Sequence, residues 1–184
     1  CRDLFIVIPG NSDKIFPVIL SVWDNHEIAA GKLCALLSRQ TGRDLFDAHQ
    51  LLTRNILRRK RLRLAFVVYG TMNRKDWRTI SEKDINYDAN TPMNELAPVL
   101  RSTATDNIRD PEKWASGLVE DCRQAISIVL PFTEREREFL DWILDRGEIE
   151  PSLITTNKEM AKRTRNHPGL QWKALNVREF KGED

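Results

Sequence analysis

The spacing of apolar and polar positions changes character early in this chain. Leu4–Ile8 is a short unbroken apolar run closed by Pro9-Gly10-Asn11, and Phe16–Trp23 is rich in β-branched and aromatic residues. Both read as strands, because such runs suit a pleated, half-buried surface and turn residues bound them. Pro17 confines the second run to a strand start or a sheet edge, since proline offers no N–H to a ladder. From Asp24 onward the apolar spacing becomes three and four. Asp24 and Glu27 have the D-x-x-E spacing of a capping box, and Ile28, Ala29, Leu33, Leu36 and Leu37 form the stripe of the helix behind it. Gly42 is placed to stop that helix.

A second helix is expected from Arg43 to Asn55, with Leu45, Ala48, His49 and Leu52 on one face, and a third from Arg61 to Met72. Residues 73–107 are broken in pattern, with one short helix expected at Asn94–Leu100. Asp110-Pro111 is an N-cap followed by proline in the first turn, opening a helix to Leu130 that Pro131 ends. Thr133-x-x-Glu136 is a capping box for the next helix, which Gly147 terminates. Thr156-x-x-Glu159 opens a shorter one, and Leu170–Val177 is a last turn or helix. No repeat is visible. The expected fold is mostly α with a minor β element at the N-terminus, divided into residues 1–57 and a C-terminal helical domain, 58–184.

Composition narrows the class. The chain has 184 residues, 41% hydrophobic and 30% charged, which suits one compact domain or a domain with a small appendage. No apolar run is long enough to span a bilayer, and the N-terminus lacks the basic start of a secretory signal. A soluble, cytoplasmic protein is the expectation, with no membrane partner. The net charge of +2 excludes a global polyanion-binding character. Cys1, Cys34 and Cys122 are odd in number and widely spaced, against a disulfide framework or zinc ribbon. His26, His49 and His167 share no metal-ligand spacing, and His49 reads as a core histidine. The tryptophans read as packing residues, with Trp172 docking the C-terminal tail. The chain begins at Cys1 with a strand-like run already under way, which reads as a fragment of a longer protein.

Three groups of residues could carry chemistry. Lys32 sits between Ile28 and Leu36 along its helix, preceded by Gly31, which weakens a helix interior by about 1 kcal/mol relative to alanine. Asp44 and Asp47 are three apart, so both carboxylates share a helical face. Each has an ordinary explanation as well: a lysine that snorkels, first-turn acids that complement the helix dipole, and an i,i+4 surface pair of Arg43 with Asp47. Together, Lys32, Arg39, Arg43, Asp44 and Asp47 converge on one corner, where cations could neutralise phosphate charge and a carboxylate could orient a nucleophile. The third group is a basic run of Arg54, Arg58, Arg59, Lys60, Arg61 and Arg63, either a solvated helix end or a contact to an RNA backbone.

The string EIAAGKLCALLSRQTGRDLFDAHQLL resembles the signature of the AbiEii/AbiGii toxin family, roughly E-x-x-x-x-K-x-x-A-L-x-x-R-x-x-x-R-D-x-x-D-x-x-x-L. It is met at Glu27, Lys32, Ala35, Leu36, Arg39, Arg43, Asp44, Asp47 and Leu51. LRLAFVVYG, FTEREREFLDWILDRGEIEPSLIT and HPGLQWKALNV extend the likeness over nearly the whole chain. The resemblance implies the C-terminal part of a DNA-polymerase-beta-like nucleotidyltransferase followed by a helical domain, acting as the toxin of a toxin–antitoxin pair. It implies Mg²⁺ and a nucleoside triphosphate (NTP), with tRNA or another RNA as acceptor and a cognate antitoxin as partner. Under it Lys32 and Asp44 are catalytic, Lys32 at the phosphates, while Arg39, Arg43 and Asp47 bind substrate or phosphate. The family's Gly-Ser turn with an Asp-x-Asp/Glu pair has no counterpart: Gly10-Asn11-Ser12-Asp13 reads as an ordinary turn. No metal ligand is therefore expected within this chain, the metal carboxylates are expected upstream, and the fragment alone is expected to be inactive. The alternative is a non-catalytic helical module that binds RNA or the antitoxin.

Overall fold

The computed structural model describes residues 2–8, 16–22, 24–53, 57–85 and 110–182. Strands β1 (Arg2–Ile8) and β2 (Phe16–Val22) form an antiparallel pair in which Arg2 lies opposite Val22 and Ile8 opposite Phe16. The other described elements are helical. The expected helix at Asn94–Leu100 and Arg54 lie outside the described residues.

Helix α1 (Asn25–Arg39) starts as its sequence dictates. The His26 N–H donates to Asp24 Oδ1 at 2.9 Å and the Asp24 N–H to Glu27 Oε2 at 3.3 Å, closing the capping box. Its buried face is Ala29, Ala30, Leu33, Leu36 and Leu37. Ile28, expected in that stripe, is 43% exposed: at 100° per residue it aligns with Lys32, Ala35 and Arg39 rather than with the leucines. Gly42 does not stop α1. The chain turns two residues earlier at Gln40, whose φ of 54° is left-handed, and Thr41 caps the next helix at once by accepting the Asp44 N–H at 3.2 Å. Helix α2 therefore runs Gly42–Leu52, with Gly42 buried in its first turn.

Helix α3 (Arg59–Thr71) begins two residues before the expected start, because its first turn is charged and leaves no apolar mark. The broken stretch after it holds two single 3₁₀ turns, Trp77–Thr79 and Glu82–Asp84. Helix α4 (Pro111–Ala125) is capped by Asp110 and passes into a 3₁₀ turn at Ile126–Ile128 instead of continuing to Leu130. Helix α5 (Glu134–Arg146) has the Thr133/Glu136 capping box and ends at Gly147, φ 67°. Helix α6 (Lys158–Arg165) is capped by Asn157 rather than Thr156, its Oδ1 accepting the Met160 N–H at 2.9 Å. Helix α7 (Pro168–Lys181) is longer than its apolar spacing suggested and is capped by His167.

One core joins these helices. α1 packs on α2 and α3, α2 on α4, α3 on α5, and α5 on α7. Phe66 lies at its centre, its ring centroid 5.4 Å from Trp77 and 5.9 Å from Phe132. Gly70 admits the Trp77 indole against the α3 backbone, for a Cβ there would come within 1.9 Å of Trp77 Nε1. Each fully buried leucine, such as Leu36, Leu45 or Leu62, stabilises this core by about 1.5–3 kcal/mol. Cys34 and Cys122 are buried free thiols, both pushed up in pKa by that burial, Cys122 to about 12. Trp172 does not dock the tail: it is 63% exposed, and Leu170 and Ala174 seat α7 instead. Arg78 fastens the first 3₁₀ turn to α5 through Asp141 and Asp145 at 3.0 and 2.6 Å.

Candidate active-site corner and adjoining cleft

The immediate turn through Gln40 and Thr41 folds α2 back along α1, and this sets the geometry of the charged corner. Two interhelical pairs form as rungs: Lys32 Nζ to Asp47 Oδ2 at 2.7 Å, and Arg39 Nη2 to Asp44 Oδ1 at 3.1 Å. Asp47 thus pairs across the helices with Lys32, and not with Arg43 along α2, because the antiparallel packing brings the ammonium closer than an i,i+4 neighbour. The first rung is open to water, its side chains being 40% and 32% exposed. The second is asymmetric, with Arg39 65% exposed and Asp44 only 7%.

Asp44 is the most constrained acid of the corner. Its Oδ2 accepts the Thr41 hydroxyl at 2.8 Å while its own N–H donates to Thr41 Oγ1. A buried carboxylate satisfied by a guanidinium and a hydroxyl is held in one orientation. Arg43 is exposed. Gly31, beside Lys32, faces open space: a Cβ there would meet nothing within 4 Å. Lys32, Arg39 and Asp47 therefore share one accessible edge of the α1–α2 hairpin, with the buried Asp44 bonded to Arg39. Among the described residues, no group of three or more His, Cys, Asp or Glu side chains could hold a metal ion. Asp44 and Asp47 are already engaged by Arg39, Thr41 and Lys32, so they do not fit a divalent metal site in this arrangement.

The basic run divides in two. Arg58, Arg59, Lys60 and Arg61 are exposed where the chain enters α3. Arg63 turns inward and is consumed: Nε and Nη2 grip Glu136 at 3.0 and 2.5 Å, while Nη1 and Nη2 donate to the carbonyls of Ile128 and Pro131. The accessible part of the run is thus Arg58 to Arg61. The Arg58 N–H is accepted by His26 Nε2 at 2.9 Å, so the ring's proton sits on Nδ1, facing Asp24 Oδ1. His49 bridges α2 to α4 through Asp121 at 3.0 Å.

Lys60, Arg61 and Arg63 also border a cleft of about 810 Å³ between the start of α1, α3, the 152–157 segment and α6. Its lining combines apolar Leu64, Val68 and Met160 with polar Thr155, Thr156 and Arg163. Tyr69 and His167, both in its lining, meet edge to face with ring centroids 6.0 Å apart. Burial raises Tyr69 to about 12 and, as the largest influence, lowers His167 below its usual range. The sequence reading did not find this cleft. The one available signal was the polar cluster Thr155-Thr156-Asn157 followed by Arg163, which reads equally well as a helix cap.

A family model described as "Nucleotidyl transferase AbiEii toxin, Type IV TA system" matches residues 8–168, most of the chain. No curated protein and no solved structure matches it.

Proposed function

Because this chain belongs to the AbiEii nucleotidyl transferase toxin family of type IV toxin–antitoxin systems, we propose that its α1–α2 corner is half of an active site. That site transfers a nucleotide from an NTP to an RNA such as tRNA. The observation that carries the reading is the two-rung arrangement itself: Lys32 and Arg39 present exposed cations beside a buried, oriented Asp44. Lys32 can exchange Asp47 for a phosphate oxygen at little energetic penalty, since an exposed ion pair contributes only about 0–1 kcal/mol. Arg39 and Arg43 add charge for the triphosphate, and Asp47 holds Lys32 in place until substrate arrives. Asp44, fixed by Thr41 and Arg39, is the group to orient the attacking hydroxyl.

The family generally works with a divalent metal, Mg²⁺ in this reading. The described residues do not form its site, so its carboxylates must come from elsewhere in the active protein. Residues 1–57 would complete a polymerase-beta-like transferase fold, with β1 and β2 at its edge, and 58–184 would form the RNA-facing helical part. That division is one of role, because the core runs unbroken from Ala29 to Ala174. The exposed segment Arg58–Arg61 would track the RNA backbone, and a cognate antitoxin would be the protein partner.

One observation favours a second reading, a binding module without catalysis: both oxygens of Asp44 are already taken within the fold. The two readings part in one experiment. In the protein carrying the full transferase, Lys32→Ala is expected to lower labelled-nucleotide incorporation into RNA at least about 100-fold, the scale of one lost transition-state contact. The circular dichroism spectrum should stay unchanged. A Lys32→Ala protein of wild-type activity would refute the assignment and leave the binding module.

A further inference from the structure

We propose that the cleft between α1, α3 and α6 is a second nucleotide-recognition site, shaped for one nucleoside phosphate unit and separate from the Lys32–Asp47 corner. It rests on the reading above, in which the chain handles RNA and nucleotides. Its volume of about 810 Å³ lies within the range of small-molecule sites.

The charge balance inside the cleft selects an anion. Glu136 pairs with Arg63, while Asp24 accepts from a neutral His26 ring and keeps its charge. Glu27 accepts the Asp24 N–H and faces Arg163 at 3.5 Å. With the Arg63–Glu136 and Arg163–Glu27 pairs set aside, exposed Lys60, Arg61 and Arg135 face the carboxylates of Asp24 and Glu159 among the described lining residues, which leaves an excess of positive charge. Arg135 is already oriented, donating one N–H to the Ser152 carbonyl at 2.6 Å.

The interior excludes a simple inorganic anion as the natural occupant. Beside the cations the lining has Leu64, Val68 and Met160, with the Tyr69 and His167 rings in edge contact, centroids 6.0 Å apart. Apolar and aromatic side chains beside cations are how proteins hold an unstacked base and its phosphate. His167 serves as a neutral ring there, for its Nδ1 accepts the Gly169 N–H at 3.1 Å and so carries no proton. Thr155 and Thr156 offer hydroxyls for the polar edge of a base or ribose. The unit can come from a free nucleotide or from the unpaired end of an RNA, and both present the same chemistry.

The test is binding by the 184-residue chain to a short fluorescent single-stranded RNA, followed by anisotropy, with AMP as competitor and NMR signals of Tyr69 and His167 as reporters. Lys60→Gln/Arg61→Gln should weaken RNA at least tenfold and flatten the salt dependence by one to two phosphate contacts. Thr156→Trp, an exposed change at the mouth, and Ala65→Trp, which fills the cleft, should weaken it without altering that slope. If AMP displaces the RNA and reproduces its shifts at His167, the free nucleotide is the natural source; if AMP leaves both untouched, the RNA end is. Wild-type RNA affinity in all these variants, with Tyr69 and His167 unperturbed, would overturn the proposal. So would binding of an acidic peptide but neither RNA nor AMP. None of these variants touches Lys32, Arg39, Asp44 or Asp47, and transfer is read separately through Lys32→Ala, so failure here and failure of the active-site reading are told apart.

Discussion

Removing the Glu136 carboxylate tests how this fold uses its buried charges. Glu136 and Arg63 are each 12% exposed and meet through two parallel hydrogen bonds, while Glu136 Oε2 also accepts the Thr133 N–H at 2.8 Å. Glu136→Ala strands a guanidinium that keeps only the Ile128 and Pro131 carbonyls. Breaking a buried pair from one side destabilises by about 3–5 kcal/mol, and the two retained carbonyls place this case near the lower figure. Loss of the capping acceptor adds about 1 kcal/mol. The sum, about 4 kcal/mol, should lower Tm by about 8–16 °C at the 2–4 °C per kcal/mol of a chain this size. Urea and thermal melts followed by circular dichroism read it directly. The double replacement Arg63→Met/Glu136→Leu should recover most of the loss, because an apolar pair of similar volume needs no desolvated charge. A Glu136→Ala protein within about 1 kcal/mol of the parent, or a double variant no better than the single, would refute the buried-clamp account.

Two further expectations complement the active-site and cleft tests. Gly31→Ala should stabilise α1 by about 0.5–1 kcal/mol, since glycine weakens a helix interior and the new methyl meets no atom within 4 Å; a lowered Tm would show that the site is not open. His167 should titrate below its unperturbed 6.5, because burial disfavours the imidazolium, Arg163 adds to that effect, and Glu27 opposes it. A depressed histidine stabilises the fold fully above about pH 6.5, and that contribution is lost as pH falls through the lowered value and the Gly169 cap breaks. An NMR midpoint at or above 6.5 would contradict this.

Local chemistry was legible at several places where one stretch of chain carried both partners, although Thr156 with Glu159 had the same spacing and Asn157 caps α6 instead. Asp24 with Glu27, Thr133 with Glu136, and the Gly147 stop are contacts across three or four residues. Gln40 was illegible, since its left-handed turn is supported by a distant partner, its Nε2 donating to the Asp84 carbonyl at 2.8 Å. Arg63 looked like its basic neighbours because Glu136 lies far along the chain. At the corner, the residues Lys32, Asp44 and Asp47 could be named, but their pairing could not: the i,i+4 rule offered Arg43, and only the α1–α2 packing supplies Lys32. The cleft was out of reach for the same reason, its walls coming from α1, α3, the 152–157 segment and α6, which no sequence period connects.

Helix α1 acts as a ruler. His26 and Glu27 at its start border the cleft, while Lys32 and Arg39 farther along carry the corner. At 1.5 Å of rise per residue, the axial offset from Glu27 is about 8 Å to Lys32 and about 18 Å to Arg39. A helix buried along one face and closed at both ends does not stretch, so cleft and corner keep a fixed registration whatever moves around them. Adding or deleting one residue between Glu27 and Lys32 would rotate one set by about 100° relative to the other and shift it by 1.5 Å.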